Sequence, residues 1–104
     1  MILHCEQVPY SRLAEEFGTP LYVYSQSALT EAFENYQTAF AALSPLVCYA
    51  VKANGNLSII KHFASLGSGF DIVSGGELAR VLAAGGDAAK TIFSGVGKSE
   101  AEIE

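Results

Sequence analysis

Short apolar runs alternate with amphipathic helical patterns along this chain, and no other feature restricts its possible folds as much. The apolar runs cover residues 20–24, 46–52, 69–73 and 91–93, and a helical pattern follows each of them. Repeated strand–helix units with short loops predict a parallel sheet, which is either open and doubly wound or closed into a barrel. A complete (β/α)8 barrel takes about 250 residues. If the sheet belongs to a barrel, this chain of 104 residues holds its N-terminal half, with about four strand–helix units.

Capping residues mark the beginnings of three predicted helices. Ser25 precedes a helix whose apolar stripe runs over about four turns. Ser74 with Glu77, and Ser99 with Glu102, match the Ser-x-x-Glu capping box, in which the serine and glutamate side chains bond to backbone N–H groups of the first turn. These positions predict helices that begin immediately after the third and fourth strands.

Lys52 ends the apolar run 46–52, where a charged residue is out of place. A buried ammonium group is costly unless it is paired. On one interpretation, the aliphatic stem lies along the strand and the amine reaches water. On the other, loss of water favours the neutral amine, which can attack a carbonyl as in Schiff-base enzymes. The strand considered alone favours the first interpretation.

Asp71 is a second charged residue inside an apolar run, and Lys52 is its obvious candidate partner. An ion pair between them could be purely structural. However, Lys52, residues 71–74 and residues 94–98 all lie at or near the carboxyl ends of predicted strands. Because parallel sheets carry their chemistry at this edge, the shared position is the strongest argument for a site.

Composition and spacing argue against several classes of function. The net charge of −5, with six Lys and Arg residues in all, argues against a nucleic-acid partner. Cys5 and Cys48 lack a Cys-x-x-Cys spacing, which favours a reducing, cytoplasmic setting. We expect no signal peptide and no membrane-spanning segment. His4 and His62 have no metal-ligand spacing with other residues, so we expect no metal site.

Four motifs in this order resemble the N-terminal part of bacterial diaminopimelate decarboxylases. They are Phe-Gly-Thr-Pro-Leu-Tyr-Val-Tyr at 17–24, Cys-Tyr-Ala-Val-Lys-Ala-Asn at 48–54, Gly-Phe-Asp-Ile-Val-Ser-Gly-Gly-Glu-Leu at 69–78 and Phe-Ser-Gly-Val-Gly-Lys at 93–98. The resemblance covers nearly the whole chain. Ornithine and arginine decarboxylases belong to the same wider group, and alanine racemases are more distant members.

The resemblance implies a pyridoxal 5'-phosphate enzyme on an alanine-racemase-like (β/α)8 barrel. By this resemblance, Lys52 is the residue that binds the cofactor covalently, and Asp71 is a carboxylate beside it. Ala50 packs against the cofactor and Glu77 lies at the edge of the site. Residues 1–104 would be part of the cofactor-binding barrel domain, with residues 1–8 as an edge strand of a second, β domain.

The resemblance also implies a substrate and an assembly. The family removes CO2 from meso-diaminopimelate to give L-lysine, and its full-length enzyme is a homodimer. Other residues of the family's site would lie beyond Glu104, so we expect a chain of this length to be inactive by itself. The alternatives are an ornithine- or arginine-type decarboxylase, a racemase on the same scaffold, or a half-barrel that self-associates without catalysis.

Overall fold

Two separate sheets organise the fold in the computed structural model, which describes all 104 residues. The first is an antiparallel pair, β1 (His4–Cys5) and β2 (Val8–Pro9). The second is parallel and has the order β3-β4-β5. Its strands are β3 (Cys48–Ala50), β4 (Gly69–Ile72) and β5 (Thr91–Phe93).

Helices connect and follow these strands. The α-helices are α1 (Tyr10–Phe17), α2 (Gln26–Ala39), α3 (Leu57–Ser65), α4 (Gly75–Ala83) and α5 (Glu100–Ile103). Short 3₁₀ turns cover Ala41–Leu43, Val51–Ala53 and Ala88–Lys90. No helix is both long and apolar enough to cross a membrane.

The parallel sheet confirms the predicted α/β fold, with strands that are neighbours in the chain also neighbours in the sheet. It contains three strand–helix units, one fewer than the sequence pattern predicts. Each strand leads through a short loop or turn into the next helix, as in the first part of a (β/α)8 barrel. The carboxyl ends of the three strands therefore meet at one edge of the sheet.

The prediction of a strand over residues 20–24 is wrong. This segment joins α1 to α2 without pairing with either sheet, and Tyr22 is 88% exposed. The preference of tyrosine and valine for strands reflects packing against a neighbouring strand rather than a property of the backbone alone. Within this chain no strand pairs with the segment, so it does not form a β-strand despite its composition.

The hydrophobic core lies between one face of the parallel sheet and the helices. Phe70 and Ile72 of β4 are almost fully buried against Ile60 and Phe63 of α3 and Val81 of α4. Because side chains alternate along a strand, Gly69 and Asp71 of β4 occupy the opposite face. Helices cover one face of the sheet, and the other is uncovered in this chain.

The apolar stripe predicted on α2 is buried over only part of its length. Phe33 is buried, whereas Tyr36 is 62% exposed. Leu43, which is 77% exposed, lies beyond α2 in the 3₁₀ turn Ala41–Leu43. Contact between α2 and α3 explains the difference, because Phe33 packs against Phe63 there. On α3 the buried residues include Ile59, while Leu57 is 45% exposed.

The predicted helix caps are present, with one difference. Ser25 Oγ accepts from the N–H of Ala28, and Ser99 with Glu102 forms the complete capping box. Ser74 Oγ accepts from the N–H of Glu77 at 3.1 Å. The Glu77 carboxylate, however, does not return to the Ser74 N–H, so this second box is only half formed.

Candidate active site

Lys52 lies in the 3₁₀ turn Val51–Ala53, directly after β3. Val51 is buried in the core, and its carbonyl accepts from the N–H of Asn54 at 3.1 Å, which closes the turn. The Lys52 side chain is exposed. This exposure agrees with the interpretation that the strand alone favours, in which the amine reaches water; β3 has a neighbouring strand on one side only.

Tyr49 holds the turn that carries Lys52 against the core. Its hydroxyl donates to the carbonyl of Asn54 at 2.9 Å, and its ring stacks on Phe63 with centroids 4.4 Å apart. Burial raises the pKa of Tyr49. Sequence analysis missed this role, although a tyrosine inside an apolar run needs a partner for its hydroxyl and so gave a signal.

The uncovered face of the sheet brings two predicted site residues together. We call this surface the open face, and it is formed by Cys48, Ala50, Gly69, Asp71 and Ile92. In the ladder Ala50 pairs with Asp71, and Asp71 pairs with Ile92. Residues paired in a parallel sheet share a face, so Ala50 and Asp71 are neighbours at the carboxyl ends of β3 and β4.

The hydrogen-bond partner of the Asp71 side chain is Ser94 rather than Lys52. Ser94 Oγ donates a hydrogen bond to Asp71 Oδ1. Asp71 also influences Cys48 on the same face: burial raises the pKa of the Cys48 thiol, and the negative charge of Asp71 raises it further. The ion pair considered for Lys52 and Asp71 is thus replaced by a hydrogen bond to the end of the third strand.

Glu77 lies apart from the open face, in the first turn of α4. Its Oε1 accepts from the backbone N–H of Val73 at 3.0 Å. The carboxylate therefore turns back to the loop that follows β4. This contact ties the first turn of α4 to the end of the strand that carries Asp71.

A groove of about 490 Å³ lies on the other side of the molecule, between α2 and α3. His62 lies in it, with Nε2 2.7 Å from Thr30 Oγ1 and Nδ1 3.1 Å from Gln26 Nε2. These contacts satisfy both ring nitrogens, so His62 joins two helices. The groove carries none of the predicted site residues.

Comparison with known families identifies the family of this chain. Residues 26–104 match the pyridoxal-binding domain of the pyridoxal-dependent decarboxylases. The chain belongs to the pyridoxal-dependent decarboxylase family. This confirms the predicted family and its cofactor.

Several individual relatives of this chain are diaminopimelate decarboxylases. The enzyme of Neisseria meningitidis serogroup B is 94% identical over 104 residues, which are 100% of this chain and 25% of that protein. This chain thus spans about a quarter of the length of that relative.

Solved structures confirm the fold. Diaminopimelate decarboxylase from M. jannaschii in co-complex with L-lysine matches 99% of this chain and 26% of its own, with 36% identity and a TM-score of 0.91. The Helicobacter pylori enzyme complexed with L-lysine matches 90% and 24%, with 48% identity and a TM-score of 0.85. The family's (β/α)8 barrel therefore accounts for the three strand–helix units.

The residues at the strand edge fit part of a pyridoxal phosphate site. Lys52 supplies the only primary amine in the turn after β3, and Asp71 supplies a carboxylate on the adjacent strand. Ala50 has only a methyl group and Gly69 has no side chain, so little side-chain volume projects from the open face at these two positions. This chain therefore provides an amine, a carboxylate and a surface of small residues.

Proposed function

We propose that this chain is the cofactor-binding N-terminal quarter of a diaminopimelate decarboxylase. In a protein of the relatives' length, the reaction would convert meso-diaminopimelate to L-lysine and CO2. The identity of 94% to the Neisseria enzyme over all 104 residues carries this proposal. Relatives solved in complex with L-lysine support it, since L-lysine would be the product.

Lys52 is proposed to bind the cofactor covalently through its amine. Its place in a closed turn at the end of β3 fixes the start of a long, flexible side chain, so the amine can reach a ligand at the strand edge. When bound, the cofactor supplies an electron sink for the charge left as CO2 departs. Lys52 would also carry a proton once its amine is free again.

Asp71, Ala50 and Glu77 are proposed to complete this chain's contribution to the site. Asp71 provides a negative charge next to Ala50 on the open face, and Ala50 leaves room for the cofactor to pack. Glu77 acts at the edge, where its bond to the Val73 N–H holds the loop after β4. Removal of Glu77 would therefore disturb Asp71 through the backbone.

The N-terminal segment is proposed to belong to a second domain. The β1–β2 pair forms a sheet of its own, apart from the parallel sheet. Ile2 is 71% exposed and Leu3 is 63% exposed, which suits a segment that another domain covers. We propose that residues 1–8 supply an edge strand to the β domain of the longer protein.

The assembly and location of the longer protein are also proposals. We propose that it is a homodimer in the cytoplasm. The resemblance to the decarboxylases supports the dimer, and the absence of a Cys-x-x-Cys spacing at Cys5 and Cys48 supports a reducing compartment.

Product analysis of a protein of the relatives' length tests the proposed function. The wild type is expected to release CO2 and L-lysine from meso-diaminopimelate, while Lys52→Ala loses this activity. Lys61→Ala, which changes an exposed lysine of α3, serves as the matched control and should stay active. Activity on ornithine or arginine instead, or racemisation without CO2, would overturn the proposed substrate.

Borohydride reduction with pyridoxal phosphate tests the role of Lys52 separately. Reduction fixes the link between the cofactor and its lysine, and peptide mapping then locates the added mass. We expect one adduct, on Lys52, that is missing from Lys52→Ala. Adducts spread over Lys61, Lys90 and Lys98 would contradict the proposed attachment site.

A further inference from the structure

Ser94 connects the end of β5 to two consecutive residues of β4. Its backbone N–H donates to the carbonyl of Ile72 at 2.9 Å, which extends the ladder one residue past the strand. Its hydroxyl donates to Asp71 Oδ1. Because the ladder fixes the Ser94 backbone, the hydroxyl is held where Asp71 needs a donor.

The contact restricts how the Asp71 carboxylate can turn. A carboxylate has two oxygens, and each can accept hydrogen bonds. Ser94 takes Oδ1, and Oδ2 has no hydrogen bond within this chain. Asp71 pairs in the ladder with Ala50, two residues before Lys52. The free oxygen thus belongs to the face where a ligand attached at Lys52 would lie.

We propose that Ser94 is a positioning residue, whose hydroxyl orients Asp71 so that Oδ2 is available to the cofactor bound at Lys52. The inference rests on the proposed function and extends it to a residue on a third strand. A hydrogen bond between a hydroxyl and a carboxylate is directional and charge-assisted, so it holds the carboxylate better than packing alone. Ser94 itself need not touch the cofactor.

Cys48 supplies an independent sensor of Asp71. Burial raises the pKa of the Cys48 thiol, and the charge of Asp71 adds to this effect. The thiol's titration therefore depends on where the Asp71 carboxylate lies. This dependence needs neither bound cofactor nor turnover, so it can be measured even if the proposed reaction is wrong.

Three variants of a protein of the relatives' length separate positioning from general structure. Ser94→Ala removes the hydroxyl at an exposed position, and Ser94→Thr retains it. Ser58→Ala changes an exposed serine of α3 and serves as the control. We expect Ser94→Ala to lower kcat roughly 10-fold with a smaller effect on KM, since misplaced groups slow the chemical step. Ser94→Thr should restore most of the rate.

Two spectroscopic measurements accompany the kinetics. The visible absorbance of bound pyridoxal phosphate is followed against pH, and we expect Ser94→Ala to shift this profile while Ser94→Thr and Ser58→Ala do not. In cofactor-free protein, the ¹³Cβ shift of Cys48 is followed against pH. A change of the thiol midpoint in Ser94→Ala, in either direction, supports the proposal.

The outcome that overturns the inference is an unchanged Cys48 midpoint together with an unchanged absorbance profile in Ser94→Ala. A double-variant cycle covers the case in which Ser94→Ala acts by loosening the fold. In an Asp71→Asn background, Ser94→Ala should leave the Cys48 midpoint where Asp71→Asn alone puts it. A further shift there would show that Ser94 acts by another route.

Wild-type protein that produces no L-lysine would refute the proposed function and leave the Cys48 result interpretable.

Discussion

At the scale of single residues, side-chain hydroxyl groups hold the strand edge in place. Tyr49 combines a ring in the core with a hydroxyl that reaches the carbonyl of Asn54, across the turn that carries Lys52. Directly after β5, the exposed Ser94 donates a hydrogen bond from its hydroxyl to Asp71. The reactive residues thus depend on partners that carry no reactive group themselves.

Tyr49→Phe tests this dependence, because it keeps the ring and removes only the hydroxyl. We expect a loss of about 1 kcal/mol in the free energy of unfolding, the usual net value of one hydrogen bond. The turn should also loosen, so borohydride trapping of the cofactor at Lys52 should slow. Urea unfolding and the trapping rate measure the two effects. Tyr22→Phe, at a residue that is 88% exposed, is the control; equal results for the two variants would refute the role of Tyr49.

The sequence predicted the charged site residues but not their supports. Lys52 and Asp71 attract notice because a charge inside an apolar run is costly. Ser94 gives no such signal, since a serine in a loop is ordinary and its link to Asp71 depends on the ladder register. Register follows from which strands pair and where, and a single strand pattern does not contain that information.

At the scale of the elements, the close approach of neighbouring strands depends on a residue without a side chain. Gly69 begins β4 on the open face, and a Cβ there would lie 2.6 Å from Cys48 Sγ and 2.6 Å from the carbonyl oxygen of Lys90. The sulfur can rotate away, but the backbone oxygen is held by the 3₁₀ turn Ala88–Lys90 that leads into β5. Gly69 therefore lets β3 and the start of β5 approach β4 from both sides.

Gly69→Ala should force these strands apart. We expect a loss of about 1–3 kcal/mol in the free energy of unfolding, as is usual when a methyl group is forced into a packed site. Gly97→Ala is the matched control, because a Cβ at that position meets nothing within 4 Å. Urea unfolding of both variants provides the measurement. Similar losses for the two would show that the effect comes from glycine's backbone freedom and not from the close contact.

The link between α4 and α5 should respond to acid. Glu102 accepts from the backbone N–H of Ser99 and of Gly75, and these bonds hold the pKa of its carboxyl below the ordinary value of 4.5. A carboxyl whose folded pKa is lowered stabilises the fold above its unfolded pKa, and this contribution is lost as pH falls through the folded pKa. The link should therefore persist at pH 5 and weaken below 4.5.

An NMR titration measures this response. The amide protons of Ser99 and Gly75 should shift together with the Glu102 side chain, with one common midpoint below 4.5. Glu102→Gln should remove the transition from both amides. A midpoint at or above the ordinary value, or different midpoints for the two amides, would contradict the link.

Local signals predicted the helices better than the strands. Ser25, Ser74 and Ser99 cap helices where the sequence places them, because a cap needs only residues within one turn. A strand also needs a distant partner, so residues 20–24 fail to pair despite a suitable composition. The apolar stripe on α2 is not buried beyond Phe33 for the same reason, since burial requires a neighbouring element to pack against.

At the scale of the whole molecule, the helices cover one face of the parallel sheet and the open face has no cover. Ile92 shows this most clearly, because it pairs with Asp71 in the ladder and is 53% exposed. In a (β/α)8 barrel the inward side chains of all strands fill the interior. Closure of such a barrel would bury Ile92, which this chain alone leaves half exposed.

Ile92→Ala should therefore have different effects in proteins of different length. In a protein of the relatives' length, closure of the barrel would bury the side chain, and we expect a loss of about 2–5 kcal/mol in the free energy of unfolding. In the 104-residue chain the side chain is already half in water, so the loss should be less than about 1 kcal/mol. Urea unfolding at both lengths gives the comparison, and Ile72→Ala, at a residue that is 1% exposed, should be costly in both. Equal losses for Ile92→Ala at the two lengths would mean that the open face is not the interior of the closed barrel, and the site built on it at Lys52 and Asp71 would need another location.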